Sequence, residues 1–248
     1  MIRHCTLSSL LFAVALATSL GLSCSRTTAS PVLPTPTAFG AALVESSGGK
    51  QMAQTGSLLP QPVTVQVNDA QGAAVAGALV EFSAAPGVLF DPSYGLTDSS
   101  GQFTTNISLG GMAGRYQIAA RSPDKTGKKI ELPIEEIALG YQQSLGKQLN
   151  DRYCDRCHNS ESTPERLSNF DNLETKPHPF TAGDTLNKMT DADLTAIISH
   201  GGPALNKSAL MPAWGDTLSK SDIQALISYI RAISDPPNRN AGAVYAKN

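Results

Sequence analysis

Alternating apolar and polar positions dominate the chain between residues 41 and 139. Strict alternation is typical of a β-strand with one buried face. Turn sequences separate the runs, and Asp69-Ala-Gln-Gly72 and Asp98-Ser-Ser-Gly101 are the clearest of them. Short strands with turns at this spacing predict an antiparallel β-sandwich. The apolar positions of the runs include Val63, Val65, Val67, Val80, Phe82, Phe103, Ile107, Leu109, Tyr116, Ile118, Ile130, Leu132 and Ile134.

From Tyr141 onward the apolar residues recur with helical spacing. Leu145, Leu149 and Tyr153 fall on one face and predict a helix that leads directly to Cys154. Two more helices are predicted from N-cap residues followed by apolar stripes that we interpret as core. The first begins at Thr190 and ends at Gly201-Gly202, and the second begins at Ser219 or Ser221 and ends before Asp235-Pro236-Pro237.

The patterns predict two domains, an all-β sandwich at residues 41–139 and an all-α domain at residues 140–235. A polar tail at residues 236–248 follows. The first 23 residues have a basic start and a short apolar run, which is typical of a secretory signal peptide.

Leu20-Gly21-Leu22-Ser23-Cys24 resembles a bacterial lipobox, although Gly21 stands where leucine is usual. That resemblance makes Cys24 a candidate for lipidation, with ordinary cleavage nearby as the alternative. Residues 24–40 are rich in Ser, Thr and Pro and are expected to form an extended tether.

Charge and composition limit the classes of partner and the number of residues that could bind a metal or cofactor. The chain has 19 Lys+Arg and 21 Asp+Glu residues, for a formal net charge of −2. This charge does not suit a nucleic-acid partner. Cysteine and histidine are scarce, with four of each.

Two of the cysteines and one histidine lie in the stretch Cys154-Asp-Arg-Cys157-His158. This stretch matches the C-x-x-C-H attachment signature of c-type haem. The pattern predicts one covalent haem c with thioethers at Cys154 and Cys157 and with His158 as the proximal iron ligand. A zinc site is an alternative, but the other cysteines, Cys5 and Cys24, lie far upstream and give no second ligand cluster. A redox C-x-x-C motif is another, but it would follow a strand.

The second iron ligand decides between electron transfer and small-molecule binding. The candidates are Met211, Met189, His200 and His178. Met211 is favoured because it precedes Pro212 in an irregular loop, where the proline fixes the backbone beside the thioether. Met189 precedes a helix cap and is expected to pack, whereas His200 and His178 are expected to be exposed.

Residues 140–234 resemble the class I monohaem cytochromes c. The resemblance rests on Gly146-Lys-Gln-Leu149, the C-x-x-C-H motif, Met211-Pro212 and Leu226-Ile-Ser-Tyr229-Ile230. It implies that two helices cross at Gly146 and Tyr229. It also implies that Pro164 lies in the segment that hydrogen-bonds the proximal imidazole. Asn150 departs from the family, which usually has an aromatic residue there.

Residues 41–139 resemble the bacterial Ig-like domains of invasin and intimin type. The resemblance rests on Val65-Gln-Val-Asn-Asp69, Val75-Ala-Gly77, Thr97-Asp98-Ser-Ser-Gly101 and Ala113-Gly114-Arg-Tyr116. The expected fold class is therefore an all-β Ig-like sandwich followed by an all-α cytochrome c fold.

The expected function is one-electron transfer by an exported protein of the bacterial cell envelope, held to a membrane by a lipid anchor at Cys24. Its expected partners are redox donor and acceptor proteins of the envelope, and the sandwich acts as a spacer. Catalysis is not expected. Two alternatives stay open: a haem peroxidase or gas sensor with a displaceable Met211, and a sandwich that binds a partner.

Overall fold

In the described part of the chain, nine β-strands form two sheets that pack face to face. The structure, a computed structural model, describes residues 32–161 and 167–238. One sheet has the strand order β1-β3-β7-β5 and the other has the order β2-β9-β8-β4-β6. All neighbouring strands are antiparallel except β2 and β9. The strands are β1 (Ala42–Ser47), β2 (Met52–Gln54), β3 (Val63–Asn68), β4 (Leu79–Ala84), β5 (Leu89–Asp91), β6 (Tyr94–Leu96), β7 (Gln102–Ser108), β8 (Gly114–Pro123) and β9 (Lys129–Leu139).

The alternation in the sequence places every second side chain inside the sandwich. Val63, Val65 and Val67 of β3 are fully buried, whereas the residues between them are partly exposed. Ile107 of the neighbouring strand β7 and Ile118 of β8, on the other sheet, belong to the same core. The predicted β-sandwich is confirmed, because period-two alternation and burial agree along these strands.

Three turns among the described residues have the same five-residue hydrogen-bonding arrangement. Asp69, Asp98 and Asp124 each accept backbone N–H groups through Oδ1, two and four residues further along the chain. A glycine with positive φ completes each turn, as at Gly101, where φ is 73°. The turns predicted at Asp69 and Asp98 are confirmed, and the sequence analysis missed the one at Asp124.

Five α-helices follow the sandwich, with a π-helical turn at Asn150–Cys154 and 3₁₀ turns at Phe170–Asn172 and Gly202–Leu205. Thr190 and Ser219 are the N-caps of α4 and α5, each in a capping box, as the sequence predicted. The helices are α1 (Tyr141–Leu149), α2 (Asp155–His158), α3 (Gly183–Leu186), α4 (Asp191–His200) and α5 (Lys220–Ile233).

Helices α1 and α5 cross where the sequence predicted. A Cβ atom on Gly146 would lie 2.6 Å from the Cβ of Tyr229 and would collide with the carbonyl oxygen of Ala225. The missing side chain lets the two backbones approach closely. The predicted crossing at Gly146 and Tyr229 is therefore confirmed.

The prediction of separate all-β and all-α domains is wrong. The described residues from Leu33 onward form one compact unit. Leu139 of β9 is buried in the core of the helical region, and Met52 and Ile137 pack against that core. The helical region also contains a parallel β-bridge between Ala182 and Asp235. The fold joins a β-sandwich to a helical region through shared packing, because β9 runs into α1 with only Gly140 between them.

Several predictions lie wholly or partly outside the described residues. These are the signal peptide, Cys24, the first part of the tether, Pro164 and most of the C-terminal tail. The last part of the predicted tether is described, and there Thr37 donates its backbone N–H to the carbonyl of Gly77 at 2.9 Å. The predicted boundaries at residues 139 and 235 stay predictions. No helix among residues 32–161 and 167–238 is long and apolar enough to span a membrane.

Candidate functional site

The two cysteines of the C-x-x-C-H motif lie at the junction of a π-helical turn and helix α2. The N–H of Asp155 donates to the carbonyl of Asn150, which is a bond across five residues. Such a turn adds one residue to the α-helical repeat and is frequent at functional sites. It leaves Cys154 buried and Cys157 half-buried, both as free thiols. The helix that the sequence predicted before Cys154 is present, but its π-helical end was not foreseen.

His158 is held by one hydrogen bond and one ring contact. Its Nδ1 lies 2.7 Å from the carbonyl oxygen of His178. A carbonyl only accepts, so Nδ1 carries the proton and Nε2 has the free lone pair. The ring of Phe180 packs against the imidazole with 4.6 Å between centroids. Burial lowers the pKa of His158, although the hydrogen bond to His178 opposes this, and the neutral form is the one that binds iron.

The described residues give His158 a hydrogen-bond acceptor that the sequence analysis did not name. Pro164 lies outside them, and the carbonyl that accepts from the imidazole belongs to His178, between Pro177 and Pro179. The side chain of His178 is exposed, as predicted. A backbone carbonyl leaves no signature in the sequence, but the two flanking prolines, which fix the local backbone, were the available signal.

A cavity of about 790 Å³ opens beside these residues. Cys154, Cys157, His158, Met211 and Trp214 all line it. Its walls are largely aliphatic and aromatic. Side chains of the helical core that also line it are Leu186, Leu194, Ile198, Leu226 and Ile230.

Met211 lies in a loop that is folded back on the end of α4. The carbonyl of Met211 accepts the N–H of Gly202 at 3.1 Å, and its N–H donates to Ser208 at 3.3 Å. A Cβ atom on Gly202 would collide with the carbonyl of Ser208, so only glycine allows this approach. The half-buried Met211 side chain packs against the helical core and faces the same cavity as the cysteines.

Of the other candidate ligands, Met189 and the exposed His178 line the cavity, whereas His200 does not. His200 is exposed at the end of α4 and is not part of the cavity wall. Met189 is half-buried and does line the cavity. The carbonyl of Met189 also accepts from Arg231 at 2.6 Å, which fixes the backbone just before α4. Two thioethers therefore reach the cavity, and the sequence analysis expected only Met211 there.

The zinc alternative has no second ligand cluster among the described residues. Desolvation raises the pKa of the Cys154 thiol to about 12, with Asp155 and Cys157 adding to the effect. No group of three or more His, Cys, Asp or Glu side chains suited to a metal ion occurs in the part of the chain that the structure describes. The redox C-x-x-C alternative also fails, because the motif follows a helix and not a strand.

The cavity fits a haem. It is apolar, it is lined by both thiols of the attachment motif, and an oriented neutral imidazole also lines it. A β-sandwich packed against a helical region that carries this site defines the class of protein: one with a cytochrome c-like helical region beside a β-sandwich.

Comparison with protein families supports a cytochrome c-type domain in the helical region. Residues 142–230 match the family model described as cytochrome c oxidase, cbb3-type, subunit III. The matched region contains Cys154, Cys157, His158 and Met211. The chain therefore contains a cytochrome c-type domain, whose chemistry is haem-based electron transfer. The comparison with curated proteins gave no match.

Solved structures with a similar shape include bacterial adhesins. The D00–D0 domain of intimin matches at 16% identity and a TM-score of 0.31 over 45% of this chain and 51% of that chain. The Yersinia pseudotuberculosis adhesin InvE matches at 14% identity and 0.30 over 42% and 33%. Invasin, a bacterial integrin-binding protein, matches at 19% identity and 0.31 over 40% and 19%. The matched region thus spans about half of these chains or less, and we draw nothing about function from it.

Proposed function

We propose that this protein is a one-electron carrier with one covalently attached haem c and with His158 and Met211 as its axial ligands. The observation that carries the proposal is that Cys154, Cys157, His158 and Met211 line a single apolar cavity. A haem bound there supplies an Fe(III)/Fe(II) couple, and histidine–methionine ligation raises its potential.

Each residue has a separate role. Cys154 and Cys157 would hold the porphyrin through thioethers, and the two-residue spacing matches the distance between its vinyl groups. His158 would bind iron through Nε2, with the carbonyl of His178 holding the ring orientation through Nδ1. Met211 would bind from the loop after α4. The apolar helical core keeps water away and disfavours the ferric charge.

Spectra of the protein produced in a host that attaches haem test the proposal. We expect the porphyrin to stay bound after denaturation and the oxidised protein to show the weak red band of iron–methionine bonding. Met211→Ala should abolish that band, whereas Met189→Ala should keep it. Loss of the band in Met189→Ala, with the band retained in Met211→Ala, would show that Met189 is the iron ligand.

A high-spin spectrum of the unaltered protein that shifts with CO or peroxide would replace electron transfer by gas sensing or peroxidase chemistry. Retention of the band in both single methionine variants would mean that either thioether can bind the iron, which would overturn the assignment of Met211 as the specific ligand.

Location and partners belong to the same proposal. The signal-like start and the lipobox-like Cys24 support export and a lipid anchor, and the Ig-like sandwich would act as a spacer between that anchor and the cavity. The electron donor and acceptor would then be proteins of the cell envelope. Metabolic labelling with a fatty acid tests the anchor, and we expect incorporation in the unaltered protein and none in Cys24→Ala.

A further inference from the structure

An aromatic contact joins two residues that line the cavity. The rings of Tyr153 and Trp214 lie 5.3 Å apart between centroids and are tilted by 55°. Both side chains are half-buried and line the cavity. Edge-to-face and tilted pairs at this distance are attractive beyond the apolar area that they bury.

The two rings belong to the two segments that would hold the haem, one carrying the cysteines and the other carrying Met211. Tyr153 immediately precedes Cys154, at the π-helical end of the first helix. Trp214 follows Met211 by three residues. A movement of the methionine loop away from the cysteine segment must therefore break this ring contact.

Each ring is fixed independently of the other. The N–H of Trp214 donates to Ile198 at 2.9 Å, and its carbonyl accepts from Leu218 at 2.8 Å, so its backbone joins the end of α4 to the start of α5. On the other side, the guanidinium of Arg152 lies 5.2 Å from the centre of the Tyr153 ring. Neither ring needs a haem to hold its place.

Before Trp214, whose backbone is bonded to α4 and α5, the methionine loop is tied mainly to itself. The backbone hydrogen bonds of Met211 go to Gly202 and Ser208, at the two ends of the same short loop. These bonds fix the shape of the loop but not its distance from Cys154. The ring contact supplies that missing constraint.

We propose that Tyr153 and Trp214 are positioning residues that keep the thioether of Met211 at the iron. The inference rests on the proposed function, since it assumes ligation by Met211. An external ligand must displace Met211 to bind, so its apparent affinity falls by the factor by which the methionine-bound state is favoured. Weakening the ring contact should therefore tighten the binding of an external ligand.

The test compares leucine with phenylalanine at both positions in the haem-loaded full chain, with imidazole as the probe. We expect Tyr153→Leu and Trp214→Leu to bind imidazole about threefold to tenfold more tightly, which is the range that such aromatic pairs contribute. The red iron–methionine band should weaken in parallel. Tyr153→Phe and Trp214→Phe keep a ring and should stay within about twofold of the unaltered protein.

A control separates positioning from general destabilisation. Ile223 is buried in the helical core but is not part of the cavity wall. Ile223→Val should lower the free energy of unfolding by about 0.5–1.5 kcal/mol and leave imidazole affinity unchanged. The inference is overturned if Ile223→Val tightens imidazole binding as much as the leucine variants do. It is also overturned if the leucine and phenylalanine variants bind imidazole equally tightly, or if the leucine variants bind it no more tightly than the unaltered protein.

Failure of the proposed function would look different. If the unaltered protein has no iron–methionine band, both proposals fall. If Met211→Ala abolishes the band while Tyr153→Leu and Trp214→Leu leave imidazole affinity unchanged, the ligand assignment stands and only the positioning role is overturned.

Discussion

Arg115 of the β-sandwich caps the last helix of the cytochrome region through the carbonyl of Ser234. Its Nη2 lies 2.6 Å from that carbonyl and 3.2 Å from the carbonyl of Ala232. Nη1 of the same side chain pairs with Glu135 on the adjacent strand. The last carbonyls of a helix have no partner within the helix. A cation placed there also interacts favourably with the negative end of the helix dipole. One side chain thus joins the sheet to α5.

Replacing Arg115 should destabilise the helical region. Arg115→Ala leaves two helix-end carbonyls without their charged donor, and we expect a loss of about 1.5–3 kcal/mol in the free energy of unfolding. Trp214 is the single tryptophan of the chain and lies in the helical region, so its fluorescence during denaturant unfolding measures the loss.

Arg121 provides the matched control, since it pairs with Glu131 on the same two strands but with half of the Glu131 side chain exposed. Arg121→Ala should cost no more than about 1 kcal/mol. Equal losses in the two variants would show that the contacts of Arg115 with α5 add nothing to stability.

Gly146 is the point where a side chain would separate α1 from α5. Alanine favours a helix over glycine by about 1 kcal/mol, but its Cβ would collide with the carbonyl of Ala225. Overpacking costs about 1–3 kcal/mol or more, and a backbone atom yields little, so the collision should win. We expect Gly146→Ala to lower the midpoint of denaturant unfolding.

Gly111 is the control for this substitution, because a Cβ there meets no atom within 4 Å. Gly111→Ala should change the free energy of unfolding by less than about 0.5 kcal/mol. A Gly146→Ala protein as stable as the unaltered one would mean that the two helices separate at little cost.

Local patterns predicted most of the elements, and contacts distant in sequence account for what they missed. Alternation fixes which face of β3 is buried, and the capping boxes at Thr190 and Ser219 are short-range chemistry. Met52 and Ile137, however, lie on a face that alternation assigns to solvent, and the helices that cover it come later in the chain. The structure therefore has one packed unit where the sequence predicted two separate domains.

The residues of the candidate site also fall into two groups, those that a local motif identifies and those that only tertiary packing brings together. Cys154, Cys157 and His158 form a contiguous motif, so the sequence identifies them without any knowledge of the fold. Met211 was chosen among four candidates from its loop context, and the cavity adds Met189 beside it. The carbonyl of His178 and the contact between Tyr153 and Trp214 depend on tertiary packing, which no spacing in the sequence reveals.

Glu136 is a buried carboxyl group inside the sandwich. Its side chain is fully buried, and Oε2 accepts the N–H of Gln51 at 2.5 Å, whereas Oε1 has no hydrogen-bond partner among the described residues. Burial raises the pKa of Glu136 from an ordinary 4.5 to about 8, and the negative charges of Glu45 and Glu135 add to the effect. The hydrogen bond from Gln51 opposes this shift but does not cancel it.

The raised pKa of Glu136 makes the protein less stable as the pH rises. Between pH 4.5 and about 8 the folded state binds more protons at this site than the unfolded state, so the free energy of unfolding falls across this window and levels off above it. At 1.36 kcal/mol per pKa unit the upper limit of the loss is roughly 5 kcal/mol. Glu136→Gln keeps an acceptor for Gln51 without a charge, so we expect this component of the pH dependence to disappear.

Denaturant unfolding followed by circular dichroism at pH 5 and pH 8 measures the difference between the two proteins. Glu131→Gln is the control, because that half-exposed carboxylate on the same strand should leave the pH dependence of the unaltered protein almost unchanged. Relative to the unaltered protein, Glu136→Gln should gain stability from pH 5 to pH 8, even if its amide costs some stability at both. A constant difference between the two proteins at both pH values would mean that Glu136 is ionised throughout, with its charge stabilised by groups other than Gln51.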